Sequence, residues 1–185
     1  MKRITRDFIT LFNTLWYRDF PLSKDHKQTG SRAEWTTHIG ICSRAVADLM
    51  GYFTYFEHGN RTDVVIKDNA ENIITNIEFE WKEARDTEKV NEIRQLKEAS
   101  DNCEFSVFIG YSDNRYYNEN LNAIKKQWGK NSNPLVIILI RFNREGSRVF
   151  ENMEVHHLQN SQLVKKRTQP ALPWLAKGKR WESNS

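Results

Sequence analysis

The chain reads as a mixed α/β fold: a sheet of parallel and antiparallel strands with helices packed on it. Three observations predict it. Apolar residues recur at helical spacing in several segments. Runs rich in β-branched and aromatic residues, of strand length, stand between those segments. The most apolar run, "PLVIILIRF" from Pro134, shows no polar alternation, as a strand buried on both faces requires. Helices, a hairpin and crossovers in one chain imply a mixed sheet with helices laid on it.

Taken in order, Ile4, Phe8, Leu11, Phe12 and Leu15 predict an amphipathic helix over residues 3–17. "PLSKDHKQTG" (21–30) carries Pro and Gly among polar residues and reads as a loop. Ser31 followed by Glu34 matches a capping box, and Trp35, Ile39, Cys42, Val46 and Leu49 carry the helix it opens to Met50. "YFTYFEHG" predicts a short strand ending at Gly59. "RTDVVIKD" and "IITNIEFEWKE" predict an antiparallel hairpin around the turn residues "DNAEN". A helix over 88–99, the strand "EFSVFIGYS", a helix over Glu119 to Trp128 and the central strand follow. "RVFENMEVHHL" predicts an edge strand. From Leu163 to Trp181 the chain reads as a basic tail with six Lys or Arg and no acid. One domain is expected, with an N-terminal helix and loop (1–30), a core (31–160) and the tail (161–185).

Composition narrows the function classes. The chain of 185 residues has a net charge of +4 and 12% aromatic residues, which suits a folded globule with a polyanionic partner. Two cysteines, Cys42 and Cys103, are too few for a disulfide scaffold and lack metal-ligand spacing. "MKRITRDF" is followed by no long apolar run, so neither a signal peptide nor a membrane helix is expected, and the cytoplasm is the expected compartment. Nucleotide-binding loops of the GxxxxGK[ST] and GxGxxG types are absent, as is a GxSxG elbow. Adjacent His156 and His157 would face opposite ways on a strand and so do not make a metal pair.

The chemistry concentrates in the hairpin. Alternation puts Ile77, Phe79 and Trp81 on one face of their strand and Glu78, Glu80 and Lys82 on the other. On the preceding strand Asp63, Val65 and Lys67 share a face, so pairing brings Asp63 beside Glu80 and Lys82. Carboxylates meeting on neighbouring strands repel unless a positive charge lies between them. A divalent cation with oxygen ligands is the usual solution, and Mg²⁺ asks for only one or two carboxylates besides water and phosphate. A neighbouring Lys can orient a water or stabilise phosphoryl charge. Glu78 adds a carboxylate that either supports these ligands or takes the place of Glu80 if the register differs.

An Asp on one strand and Glu-x-Lys on the next, set between a helix and an apolar strand, resembles the PD-(D/E)XK nuclease superfamily, with Thr62 where the Pro of the name would stand. The resemblance covers residues 31–112, in the order helix, three strands, helix, strand. It implies a restriction-endonuclease-like mixed sheet (αβββαβ core) flanked by helices, with an extra N-terminal helix. It also implies a Mg²⁺-dependent DNA endonuclease, with Mn²⁺ able to substitute, that hydrolyses phosphodiesters through a metal-activated water. Asp63, Glu80 and the Trp81 carbonyl would hold the metal, Lys82 would assist catalysis, and Glu34 matches a helix Glu that many members place near the metals. Glu34 has a competing role in the capping box. Duplex DNA is the expected partner, and cutting both strands favours a homodimer. Lys165, Lys166, Arg167, Lys177, Lys179 and Arg180, with Trp174 interleaved, are the expected nucleic-acid contacts. Two alternatives stand beside this reading: a catalytically silent nucleic-acid-binding protein of the same fold, and a structure-specific repair or recombination nuclease.

Overall fold

The computed structural model describes residues 1–21, 31–58 and 62–175. Lys177, Lys179 and Arg180 lie outside them. The elements run α1 (Arg3–Leu15), α2 (Arg32–Met50), β1 (Phe53–His58), β2 (Thr62–Lys67), β3 (Ile73–Glu80), α3 (Glu92–Glu98), β4 (Phe105–Asp113), α4 (Tyr117–Trp128), β5 (Leu135–Glu145), β6 (Ser147–Gln159) and β7 (Gln162–Pro170). All seven strands form one sheet in sequence order. β1–β2–β3 and β5–β6–β7 are antiparallel meanders, and the crossovers through α3 and α4 make β3, β4 and β5 parallel. Parallel neighbours need such crossovers, while antiparallel ones need only turns.

The helices divide between the two faces. α1 and α2 bury Phe8, Phe12, Trp35, Ile39 and Val46 against Val64, Ile66, Ile77, Val107 and Ile109. α3 and α4 bury Ile93, Leu96, Ile124 and Trp128 against Phe108, Ile137 and Leu139. β5 shows why its sequence has no polar alternation. Val136, Ile138 and Ile140 feed the first core and Leu135, Ile137 and Leu139 the second, all at 0% exposure. The capping box that opens α2 is present, with Ser31 Oγ accepting from the Glu34 amide and Glu34 Oε2 from the Ser31 amide. Gly51 closes the helix in the left-handed conformation (φ 76°), which costs a residue without a Cβ little.

The basic tail begins differently from its sequence reading. Gln162–Pro170 is the seventh strand, so β6 is interior and β7 holds the edge. Its Lys165, Lys166 and Arg167 mask the apolar alternation by which a strand is recognised, and charge on an edge strand discourages pairing with other chains. Cys42 and Cys103 are both free thiols. Among the described residues no helix is long and apolar enough to cross a membrane.

Candidate active site

The site forms where β2 and β3 part. Val64 pairs with Ile77, so the register carried one residue further sets Asp63 opposite Glu78. β3 runs on to Glu80 beside β4 alone. The backbone amide of Phe79, which has no β2 carbonyl to meet, donates to Asp63 Oδ2 at 2.9 Å. The side chain thus finishes the ladder and is fixed by it. A cavity of about 280 Å³ opens at this fork. Asp63, Glu78, Glu80, Glu92 and Gln95 line one part of it, and Arg32, Thr36, Phe79, Trp81 and Tyr111 the rest.

Four carboxyl groups share the cavity and influence one another in two pairs, Asp63 with Glu78 and Glu80 with Glu92. Burial, reinforced by the Asp63 charge, pushes Glu78 up to about 9, so Glu78 carries the proton of its pair at neutral pH. Burial raises Asp63 as well, opposed by the Phe79 amide and the bond to Glu78. Glu92 is raised by burial and by the neighbouring Glu80. Arg32 at the start of α2 stands 3.7 Å from Glu80 Oε1, and the Lys82 amide donates to that oxygen at 2.8 Å. Among the described residues the buried phenol of Tyr111 has no hydrogen-bond partner.

The oxygen-only donor set is of the kind a hard divalent cation takes. As the side chains stand, no three His, Cys, Asp or Glu among the described residues converge closely enough to hold an ion. Glu78, raised to about 9, is protonated at neutral pH, and a cation bound there would have to displace that proton.

Of the residues expected from the sequence, Asp63, Glu78, Glu80 and Trp81 line the cavity, and Glu34, Lys82 and the described basic residues of the C-terminal segment do not. Glu34 faces away, because two residues beyond Arg32 on a helix means a turn of about 200°. It is exposed and occupied as the capping partner, which holds its carboxyl below the usual range. β3 ends at Glu80, so alternation no longer governs Lys82, whose side chain lines the adjoining cleft instead. The Trp81 carbonyl accepts from Arg148 Nη2 at 3.0 Å, which sets a guanidinium where the metal was expected. On β7, the Lys165 ammonium is bound to buried Glu154 at 2.8 Å and is not free for phosphate. Arg167 donates to Gln169, and Trp174 is exposed beside Phe20.

The sequence reading missed Glu92 as a site residue, together with Arg32 and Tyr111. Glu92 was findable: Ile93 and Leu96 mark the buried stripe of α3, and Glu92 and Gln95 flank it at the same spacing of three. Arg32 and Tyr111 carried no such signal, since only the tertiary fold brings them to the fork.

No family model and no curated protein matches the chain. Among solved structures it is similar to the YaeQ protein of Pseudomonas syringae at 13% identity and a TM-score of 0.33, over 77% of this chain and 82% of that one. It is similar to the YaeQ protein of Xanthomonas axonopodis pv. citri at 12% identity and the same TM-score, over 78% and 85%. Likeness at this level transfers neither fold nor function.

Proposed function

We propose that the chain is a metal-dependent DNA endonuclease of restriction-endonuclease-like fold. The observation that carries this reading is the register of the fork, which sets Asp63 opposite Glu78 with Glu80 two residues on. The sequence of α2, three antiparallel strands, α3 and parallel β4 accords with it. Asp63, Glu78 and Glu80 would hold Mg²⁺, or Mn²⁺ in its place, which when bound supplies Lewis acidity toward a phosphodiester and its attacking water. Glu92 is the group placed to take up or return a proton, being raised and bonded to Glu80. Arg32, 3.7 Å from Glu80, adds a guanidinium to the cavity where phosphoryl charge would need support. Each chain has one such cavity at the fork, so cutting both strands of a duplex would call for two copies.

A catalytically silent nucleic-acid-binding protein is the second reading. The displacement of Lys82 and the engaged Trp81 carbonyl favour it. Supercoiled plasmid incubated with Mg²⁺, Mn²⁺ or EDTA decides between them. Nicking that depends on metal is the expected result; intact plasmid under every metal, with DNA still bound, establishes the second reading.

Metal binding also has a signature in stability. The raised Glu78 stabilises the fold most below its unfolded pKa, and that contribution is lost as pH rises toward about 9. Without metal, the Tm should therefore fall from about pH 5 to about pH 9, and Glu78→Gln should flatten the decline. Mg²⁺ at about a hundred times its Kd should restore about 2.7 kcal/mol at the alkaline end, or roughly 5–10 °C. An alkaline Tm indifferent to Mg²⁺ and Mn²⁺ removes the cation from the site.

A further inference from the structure

A second cleft of opposite charge adjoins the carboxylate cavity. Lys82, Glu83, Arg85, Asp86, Arg144 and Arg148 enclose about 420 Å³. Its two acids have partners: Glu83 accepts from Asn120 Nδ2 at 2.9 Å and from the Asp113 amide at 3.2 Å besides facing Arg85, and Asp86 accepts from Lys89 Nζ at 3.2 Å. The cations are less occupied. Arg85 stacks 3.5 Å over the Tyr116 ring and lies 3.7 Å from both Glu83 and Glu119. Among the described residues, the side chains of Lys82 and Arg144 make no hydrogen bond or ion pair.

Arg148 is the fixed member. Its guanidinium is 4.1 Å from the Trp81 ring centre and 4.5 Å from that of Phe142, its Nη2 bonds the Trp81 carbonyl, and its buried Nη1 has no partner among the described residues. A guanidinium locked by stacking has already lost the freedom that a flexible surface cation surrenders on binding. Trp81 joins the two sites, since it lines the carboxylate cavity and its carbonyl anchors the cleft's Arg148.

We infer that the cleft of Lys82, Arg85, Arg144 and Arg148 is a phosphate subsite for a nucleic-acid strand, receiving the phosphodiester that flanks the one presented to Asp63, Glu78 and Glu80. The inference rests on the proposed nuclease reading and deepens it. Phosphate contacts of this kind position the strand and carry no sequence information. Lys82, which the sequence pattern gives to catalysis, becomes a contact to the neighbouring phosphate.

The test is the anisotropy of a fluorescein-labelled DNA duplex, titrated in EDTA over a series of KCl concentrations, with the Lys82→Ala/Arg144→Ala double variant against wild type. An Arg94→Ala variant, on the outer face of α3, serves as control. Losing two phosphate contacts should lower the slope of log K against log salt by about 1.8 and weaken binding roughly tenfold or more at low salt. Slope and affinity equal to wild type overturn the subsite, as does an equal change in the control. Plasmid nicking keeps the two ideas apart. A wild type that nicks while the double variant shows an unaltered slope removes the subsite and leaves the nuclease. A wild type inert in every metal, with a slope that falls in the variant, leaves a strand-binding cleft and removes the nuclease.

Discussion

Asp63→Asn should reduce metal-dependent nicking by at least about a hundredfold without unfolding the protein. A bound cation supplies several kcal/mol to phosphodiester hydrolysis, and each 1.36 kcal/mol is a factor of ten. The amide keeps the shape of the side chain, and its oxygen can still accept from the Phe79 amide at the fork. What it removes is the negative charge. Loss of that charge also relieves part of the upward pressure on Glu78, although burial, the larger cause, remains. Circular dichroism of the variant should match wild type, and nicking should fall with Mg²⁺ and Mn²⁺ alike. Glu34→Gln gives the contrast: it can keep a capping bond on the far side of α2, and nicking should stay at the wild-type rate. Undiminished cleavage by Asp63→Asn would remove the fork as the active site.

The largest stability effect belongs to Glu154, on β6. Its carboxylate, 2% exposed, accepts from Arg141 Nη1 at 2.6 Å, from Lys165 Nζ at 2.8 Å and from the phenol of Tyr117, with His156 Nε2 at 3.4 Å. Burial alone would raise its pKa, but hydrogen bonds from Lys165, Tyr117 and Arg141 bring it down to about 2. Truncation to alanine leaves Arg141 and Lys165 without their shared anion. Breaking a buried pair costs about 3–5 kcal/mol, and the lower end applies because Lys165 is half exposed. Thermal unfolding of Glu154→Ala should therefore fall by on the order of 10 °C. The wild type shows the same dependence on acidification. A depressed carboxyl contributes fully above its unfolded pKa, and the contribution disappears as pH falls toward about 2. Glu154→Ala should lose that part of its acid sensitivity, and a variant as stable as wild type would show the ion cluster to be energetically idle.

Most of the architecture was legible because its signals are local. The capping box at Ser31 and Glu34, the glycine at 51, the turn at 68–72 and the unbroken apolar run of β5 each fix a backbone state from a few adjacent residues. β7 was illegible because its basic residues answer to a partner strand and to Glu154, neither of which is adjacent in sequence. The candidate site divides in the same way. Alternation within regular strands puts Asp63, Glu78 and Glu80 on one side, but it aligned Asp63 with Glu80 and Lys82, whereas the register sets Asp63 opposite Glu78. Lys82 escaped because regularity ends at Glu80, and a period of two has no authority beyond the last paired residue. Arg148 and Trp81 meet across 67 residues of sequence, and no spacing rule reaches that far.

The parting of β2 from β3 also sets where the molecule can yield. β4 and β5 lie between hydrogen-bonded neighbours on both sides and helices on both faces, so their amides should exchange with solvent only when the whole domain opens. At the fork the ladder gives way to a single side-chain bond from Asp63, and prising that corner apart breaks no bond of the central sheet. Local breathing there would open the cavity while the rest of the sheet stays closed.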